Sequence, residues 1–280
     1  MTGATKLAAV IGWPIHQSVS PVLHGYWLKQ HGIKGNYVPL PIAPENFERC
    51  VGALPLMGFA GANVTVPHKE AAFRLATTRD QDAEATGAVN TLVFEGANVT
   101  GLNTDVRGFA ASLEEAFGAA AARVGPAAVL GAGGAARAIV HALVHAGSPE
   151  IRIANRTKVR AEALAGALET RAIRIVDWGD WQTLLAGSRL LINTTSLGMT
   201  GKAKLEIDLA PLASAAAVAD IVYNPLETEL LRAARERGHR TMDGLGMLMH
   251  QAVPAFAAWF GVTPKVTPEL RATLVEALGG

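Results

Sequence analysis

The chain has 280 residues, half of them hydrophobic and 18% charged, with a mean hydropathy of +0.23. That composition excludes a disordered polypeptide and leaves room for one large domain or two of ordinary size. A formal net charge of +1 gives no long-range field of the kind nucleic-acid binders use, and the single cysteine, Cys50, excludes an internal disulfide or a cysteine-held zinc. Met1 to Lys6 lack the charged-then-apolar pattern of a signal peptide. The most apolar stretch, Val124 to Gly147, is interrupted by Gly131, Gly133, Gly134, Arg137 and two histidines, so it reads as a buried strand–turn–helix and not as a membrane span. The expected setting is the cytoplasm, with neither nucleic acid nor membrane as a partner.

Short apolar runs alternate with helical stretches almost throughout, which is the pattern of an α/β protein. Leu7 to Ile11 reads as a strand. Ser20-Pro21 then opens a helix to about His31, with Ser20 as N-cap and proline at the first helical position. Asn36 to Pro39 is a predicted strand, Glu45 to Leu54 a helix and Ala62 to Val66 a strand, followed by a helix from Pro67. Val89 to Glu95 and Asn98 to Leu102 form a hairpin across Gly96-Ala97. Asp105 caps a helix over Val106 to Phe117. Predicted strands follow at Ala127 to Leu130, Ile151 to Ala154, Arg174 to Val176, Leu190 to Asn193, Val218 to Ile221 and Arg240 to Met242, with a helix at Thr228 to Arg237. Helices at Gly246 to Phe260 and Pro268 to Leu278 close the chain, and no internal repeat or low-complexity tract is present.

Gly131-Ala132-Gly133-Gly134-Ala135-Ala136 fits G-x-G-x-x-A directly after an apolar strand and directly before a helix. The first glycine permits the tight turn, the second lets backbone approach a pyrophosphate, and the small third residue lets helix and strand pack closely. The helix N-terminus adds orphan N–H groups and a partial positive charge. An NAD site usually ends its next strand with Asp or Glu; an NADP site places arginine near the 2′-phosphate. Here that strand ends Ala154-Asn155-Arg156-Thr157 with Arg160 one turn further on and no acid between. Two cations at the helix end that disfavours them point to an anionic ligand, and the expected cofactor is NADP.

Further motifs are Ser18-Val19-Ser20-Pro21, Asn63-Val64-Thr65-Val66-Pro67-His68-Lys69, Gly87-Ala88-Val89-Asn90-Thr91 and Gly101-Leu102-Asn103-Thr104-Asp105. Asn193 to Met199, Tyr223-Asn224-Pro225 and Asp243 to Leu248 continue the series. Together with the glycine turn, and in this order, they resemble the shikimate dehydrogenase family over most of the chain. The resemblance implies an N-terminal α/β substrate domain, 1–105 and 245–280, whose closing helices return to it. A Rossmann-type doubly wound parallel-sheet domain, 106–244, is inserted between. It implies a catalytic Lys69–Asp105 pair and substrate contacts from Ser18, Ser20, Asn63, Thr65, Asn90, Tyr223 and Gln251. Cofactor contacts fall to Gly131, Ala132, Gly133, Gly134, Ala135, Asn155, Arg156, Thr157, Arg160, Ile221 and Gly244. The implied reaction is NADP-dependent reduction of 3-dehydroshikimate to shikimate, reversibly, in aromatic amino-acid and chorismate biosynthesis. The implied partner is a small-molecule substrate, and the chain is expected to be a monomer or homodimer.

The residue types support this on their own terms. Oxidising a secondary alcohol needs a base for the hydroxyl proton while hydride leaves the same carbon. Lys69 stands in the first turn of a predicted helix, where the dipole disfavours its cation, and a carboxylate such as Asp105 opposes that shift and fixes the ammonium. Hydroxyls and amides at Ser18, Ser20, Thr65, Asn90 and Gln251 suit a ring bearing several alcohols. Asn63 and Thr65, two apart on one predicted strand, share a face. His141 and His145, four apart, lack the acid of a zinc motif, and Gly201-Lys202 lacks the Ser or Thr that ends a P-loop, so no metal is expected. One departure bears on specificity: the family usually places His just before the first Ser of Ser-x-Ser, and this chain has Gln17. Quinate or aminoshikimate dehydrogenases of the same build, and a non-catalytic NADPH-sensing regulator, are the alternatives.

Overall fold

The protein is described by a computed structural model over residues 5–168 and 170–279. It divides into two units, Met1–Thr104 with Gln251–Gly280, and Asp105–His250. Among the described residues no helix is long and apolar enough to cross a membrane.

The first unit is built on a mixed sheet. β1 (Lys6–Gly12) pairs in parallel with β2 (Gly35–Pro41) on one side and β3 (Phe59–Val64) on the other. α1 (Ser20–Gln30) links β1 to β2, and α2 (Phe47–Ala53) lies between β2 and β3. After α3 (Lys69–Leu75) come the two-residue β4 (Thr78–Arg79) and α4 (Gln81–Thr86), then the hairpin β5 (Thr91–Glu95) and β6 (Asn98–Leu102). β5 runs antiparallel to both β3 and β6, and the strand order is β2-β1-β3-β5-β6-β4. Ala9, Ile11, Ala62, Val64 and Leu92 bury one face of this sheet against Phe47, Val51 and Ala72. On the C-terminal side, the Trp259 indole N–H donates to Leu92 O at 2.9 Å and the Trp27 indole N–H to Lys265 O at 3.2 Å, so the closing segment returns to this sheet.

A buried aromatic cluster sits there. His24 is fully buried, stacked on Tyr37 with ring centroids 4.0 Å apart, and it meets Trp27, Phe256 and Trp259 at 5.9, 5.9 and 5.7 Å. Neither ring nitrogen has a hydrogen bond of good geometry. Burial pushes the His24 pKa down from 6.5 to about 3, and the nearby Asn63 side chain offsets only part of that shift. The unfolded chain therefore takes up a proton between about pH 6.5 and 3 that the folded chain refuses. The stability tied to this group is complete above about 6.5 and is lost as pH falls towards about 3. At pH 5.5 the expected loss relative to pH 8 is on the order of 1 kcal/mol. His24→Phe should flatten this part of the curve of melting temperature against pH; an unchanged slope between pH 5 and 7 would refute the assignment.

The second unit carries a parallel sheet: β7 (Ala127–Leu130), β8 (Ile151–Ala154), β9 (Ile173–Val176), β10 (Leu190–Asn193), β11 (Ala217–Asp220) and β12 (Arg240–Met242). Its order is β12-β11-β10-β7-β8-β9, which is the doubly wound arrangement with the reversal between β7 and β10. Strands in such a sheet are buried on both faces, and their residues alternate accordingly. Ala127, Val129, Leu190 and Ile192 pack with α5 (Thr104–Phe117) and α6 (Gly134–His145). Ala128, Leu130 and Leu191 pack on the other face with α8 (Trp181–Leu185) and α9 (Glu229–Glu236). α7 (Lys158–Ala167) follows β8; α10 (Gly244–Phe260) and α11 (Pro268–Ala277) close the chain.

Several local expectations are corrected. Ser20 is the first helical residue and not the cap; Ser18 Oγ accepts the Ser20 N–H at 3.3 Å, so the serine two places earlier meets that amide. α5 begins at Thr104, which puts Asp105 inside the first turn, and the Asn90 carboxamide oxygen accepts the Thr104 N–H at 2.8 Å. β3 ends at Val64, so Thr65 does not share a strand with Asn63. The Thr65 N–H still reaches Ile11 O at 2.9 Å, but the chain then turns, His68 N–H donating to Thr65 O at 2.9 Å ahead of α3. The predicted helix at Glu45 to Leu54 is a 3-10 turn (Pro44–Asn46) followed by α2.

Candidate active site

In the first unit the candidate substrate residues gather beyond the carboxyl ends of β1 and β3. A Cβ on Gly12 would lie 2.7 Å from the Thr65 methyl and 2.8 Å from Ile15, so the chain leaving β1 passes close beside Thr65. The Trp13 N–H donates to Val66 O at 3.1 Å, which joins the same two segments. Lys69 opens α3, and its carbonyl accepts the Val89 N–H at 3.0 Å, which fixes the Lys69 backbone one residue from Asn90. Next to it His68 is buried, stacked on Phe47 and bonded to Ile42 O at 2.8 Å; burial holds its pKa below the usual value, and the ring is structural.

The amides are held by one another. Asn90 Nδ2 donates to Gln251 Oε1 at 3.1 Å and to Thr104 Oγ1 at 2.9 Å. Asn63 sits behind them: its Oδ1 accepts the Tyr37 hydroxyl at 2.7 Å, and its Nδ2 donates to Asn90 O at 3.3 Å and Thr91 Oγ1 at 3.0 Å. Asn63 thus supports its neighbours. Tyr37 escaped the sequence reading, and Thr91 and Thr104 stood in its motifs without a role, since nothing local marks a hydroxyl that bonds a partner far along the chain.

In the second unit Gly131 has φ +110°, open to glycine alone, and a Cβ there would lie 2.5 Å from Thr194 Oγ1 at the end of β10. Ala132 is buried, Gly133 is exposed with nothing within 4 Å of where its Cβ would be, and Gly134 and Ala135 begin α6. Arg137 stands in the first turn of α6. Its Nε is buried without a partner. Beyond β8, Asn155 Nδ2 donates to Thr157 O at 2.8 Å, the Thr157 side chain leaves the N-terminus of α7 uncapped, and Arg156 and Arg160 are exposed with no ion-pair partner among the described residues. Lys158 is different: it pairs with Asp177 at 2.7 Å, and that contact raises its pKa.

Gly244 packs backbone against backbone, a Cβ there falling 2.0 Å from Ile221 O, so Ile221 and the start of α10 meet. Tyr223 is half-buried just beyond. Beneath these loops lies a cluster the sequence reading missed. Asp220 accepts hydrogen bonds from Asn193 Nδ2 at 3.0 Å, Val222 N at 3.0 Å and Thr228 Oγ1 at 2.8 Å. Burial pushes its carboxyl up to about 6 against those three bonds. Asn193 Oδ1 in turn accepts the Thr195 N–H and hydroxyl at 3.0 and 2.7 Å, which shapes the loop after β10. His141 and His145 pack edge to face at 4.4 Å, and among the described residues no group of three His, Cys, Asp or Glu could hold a metal ion.

A doubly wound parallel sheet with a glycine turn at its first strand and an uncovered helix N-terminus defines a dinucleotide-binding α/β protein, here carrying a second α/β unit lined with hydroxyls, amides and a lysine. Residues 10–92 match the shikimate dehydrogenase substrate binding domain, and residues 115–223 match the family described as shikimate / quinate 5-dehydrogenase. A shikimate dehydrogenase (NADP(+)) of Paramagnetospirillum magneticum is 54% identical over 277 residues, 99% of this chain and 100% of that protein. Shikimate 5-dehydrogenase of Thermus thermophilus, solved with NADP(H) and shikimate, superposes with TM-score 0.85 at 33% identity over 99% of both chains. Quinate dehydrogenase of Corynebacterium glutamicum, solved with NAD, gives TM-score 0.88 at 32% identity over 97% of this chain and 99% of that one. The chain belongs to the shikimate dehydrogenase family.

Proposed function

We infer that this chain is an NADP-dependent oxidoreductase of aromatic amino-acid biosynthesis that interconverts 3-dehydroshikimate and shikimate, acting in the cytoplasm as a monomer or homodimer. One observation carries the reading: the chain is 54% identical over its length to an NADP-dependent shikimate dehydrogenase, and Asn90, bonded to Gln251, follows the residue whose N–H holds the Lys69 carbonyl. The substrate domain expected from the sequence, 1–105 with 245–280, takes the ring acid; 106–244 takes the dinucleotide. Bound NADPH supplies the hydride. Lys69 gives the carbonyl oxygen its proton on reduction and takes the hydroxyl proton on oxidation, and Asp105 holds the ammonium in place. The serine hydroxyls and Thr65 with Asn90, Gln251 and Tyr223 orient the ring acid's hydroxyls and carboxylate.

The residues present fit the cofactor. Gly131 permits the turn, Gly133 leaves room where a side chain would crowd a phosphate, and Arg137 in the first turn of α6 has a buried Nε without a partner. Ala132, Gly134 and Ala135 complete the pyrophosphate cradle, Ile221 and Gly244 flank the nicotinamide end, and Asn155, Arg156, Thr157 and Arg160 take the adenosine 2′-phosphate. Arginine meets a phosphate with a fork of donors, and each charged hydrogen bond contributes about 1.5–3 kcal/mol where water is excluded.

Kinetics with shikimate, quinate and aminoshikimate, each against NADP and NAD, test the reading. The highest kcat/KM is expected for shikimate with NADP, at least about tenfold above NAD, which needs only about 1.4 kcal/mol. Arg156→Ala should raise KM for NADP and leave the weaker use of NAD nearly unchanged, whereas a folding defect would weaken both. Quinate with NAD as the best pair would move the chain to the quinate branch, with Gln17 the first residue to exchange.

A further inference from the structure

We propose that Thr104 is a positioning residue for this reaction, its buried hydroxyl locking the side-chain amides of Asn90 and Gln251 in one orientation each while its backbone pins the first turn of the helix that carries Asp105. The proposal rests on the shikimate reading above. Thr104 is 3% exposed. Its Oγ1 accepts the Asn90 Nδ2 proton at 2.9 Å and lies 3.2 Å from Asn90 Oδ1, 3.3 Å from Gln251 Oε1 and 3.3 Å from Thr91 Oγ1. A hydroxyl has one proton and two lone pairs, so Thr104 takes one amide proton and gives its own to one of those three oxygens.

The consequence is a set of fixed polarities. Gln251 Oε1 faces Asn90 Nδ2 at 3.1 Å and the Thr104 hydroxyl at 3.3 Å; flipping that amide would turn an NH2 group onto the NH2 of Asn90. Asn90 Oδ1 accepts the Thr104 N–H at 2.8 Å and the Thr91 hydroxyl at 3.2 Å; flipping this amide would set donor against donor as well. In a buried cluster each such mismatch leaves a polar group without a partner, and that cost holds both amides in place. A ring bearing several alcohols makes this matter, because every hydroxyl can donate or accept and an amide free to flip would bind the ring in more than one pose. Thr91 and Asn63 extend the lock to the Tyr37 hydroxyl.

Thr104→Val keeps the shape and the backbone N–H but removes the hydroxyl. The kcat/KM for shikimate is expected to fall about tenfold, mainly through KM, as one net hydrogen bond implies. NADPH affinity should stay within about twofold, and Thr104→Ser should recover kcat/KM to within about threefold of wild type. If the valine variant does not fold, Thr104→Ala is compared with Thr104→Ser in the same way. A hydroxyl-free variant within about threefold of wild type overturns the proposal, as does a serine variant impaired as badly as the hydroxyl-free one, since packing of the methyl would then be what matters. A wild type that turns over none of the ring acids overturns the functional reading, and this proposal with it. An active wild type matched by its valine variant overturns this proposal alone.

Discussion

Lys69→Ala lowers the turnover number by about 10²–10⁴-fold, the usual loss when a general acid–base group is removed. The fold should survive the change. Lys69 is only half-buried, the bond of its backbone carbonyl to the Val89 N–H at 3.0 Å is kept by alanine, and alanine is the better helix former at the head of α3. NADPH affinity should stay within about twofold, because the glycine turn belongs to the other unit. Steady-state kinetics beside calorimetric titration of NADPH make the check. A turnover number within about threefold of wild type means that Lys69 is not the proton carrier, whatever the family resemblance implies.

Gly61→Ala disrupts the first unit. The new Cβ would lie 2.0 Å from the Trp259 indole nitrogen and 2.1 Å from Leu92 O, the two atoms that bond each other at 2.9 Å across this glycine. One neighbour is backbone and the other is a buried ring. The strand itself cannot retreat, because β3 is paired to β1 on one side and β5 on the other. Overpacking against such a rigid wall costs about 3 kcal/mol or more. For a protein of this size that lowers the melting temperature by roughly 6–12 °C, or leaves no folded product. Thermal unfolding followed by circular dichroism decides the matter, and a shift under about 2 °C would mean the sheet yields more easily than its pairing suggests. The same glycine explains how the closing helix reaches the N-terminal sheet: a side chain at position 61 would stand where the indole passes.

The alternation of apolar runs and helices was enough, from sequence, for the α/β class, and the strands of the second unit were the most legible part. Ala127–Leu130, Ile151–Ala154, Leu190–Asn193 and Arg240–Met242 lie where the sequence puts them. Most are short runs buried on both faces and flanked by turn residues, so local composition alone marks them. In the first unit β4 has only two residues and exists through its pairing with β6; no run of residues announces it. Likewise the glycine turn, the arginines after β8 and the order of the polar motifs stood in the sequence, because each depends on residue types at fixed short spacings.

Tertiary structure decided what those residues do for one another. Sequence reading made Ser20 and Asp105 helix caps, yet both stand inside their helices, with the Ser20 N–H meeting Ser18 Oγ and the Thr104 N–H meeting Asn90 Oδ1. The Asn63 side chain bonds Tyr37 and Thr91, 26 and 28 positions away, and nothing in its own stretch of sequence announces either partner. The bond from Asn90 to Gln251 spans 161 residues. Propensity and periodicity act over a few residues, so they identify a strand, a turn or a phosphate-binding loop. A hydrogen bond between distant side chains leaves no such local trace, and its existence is settled only when the sheet brings both ends together and burial makes an unpaired group costly.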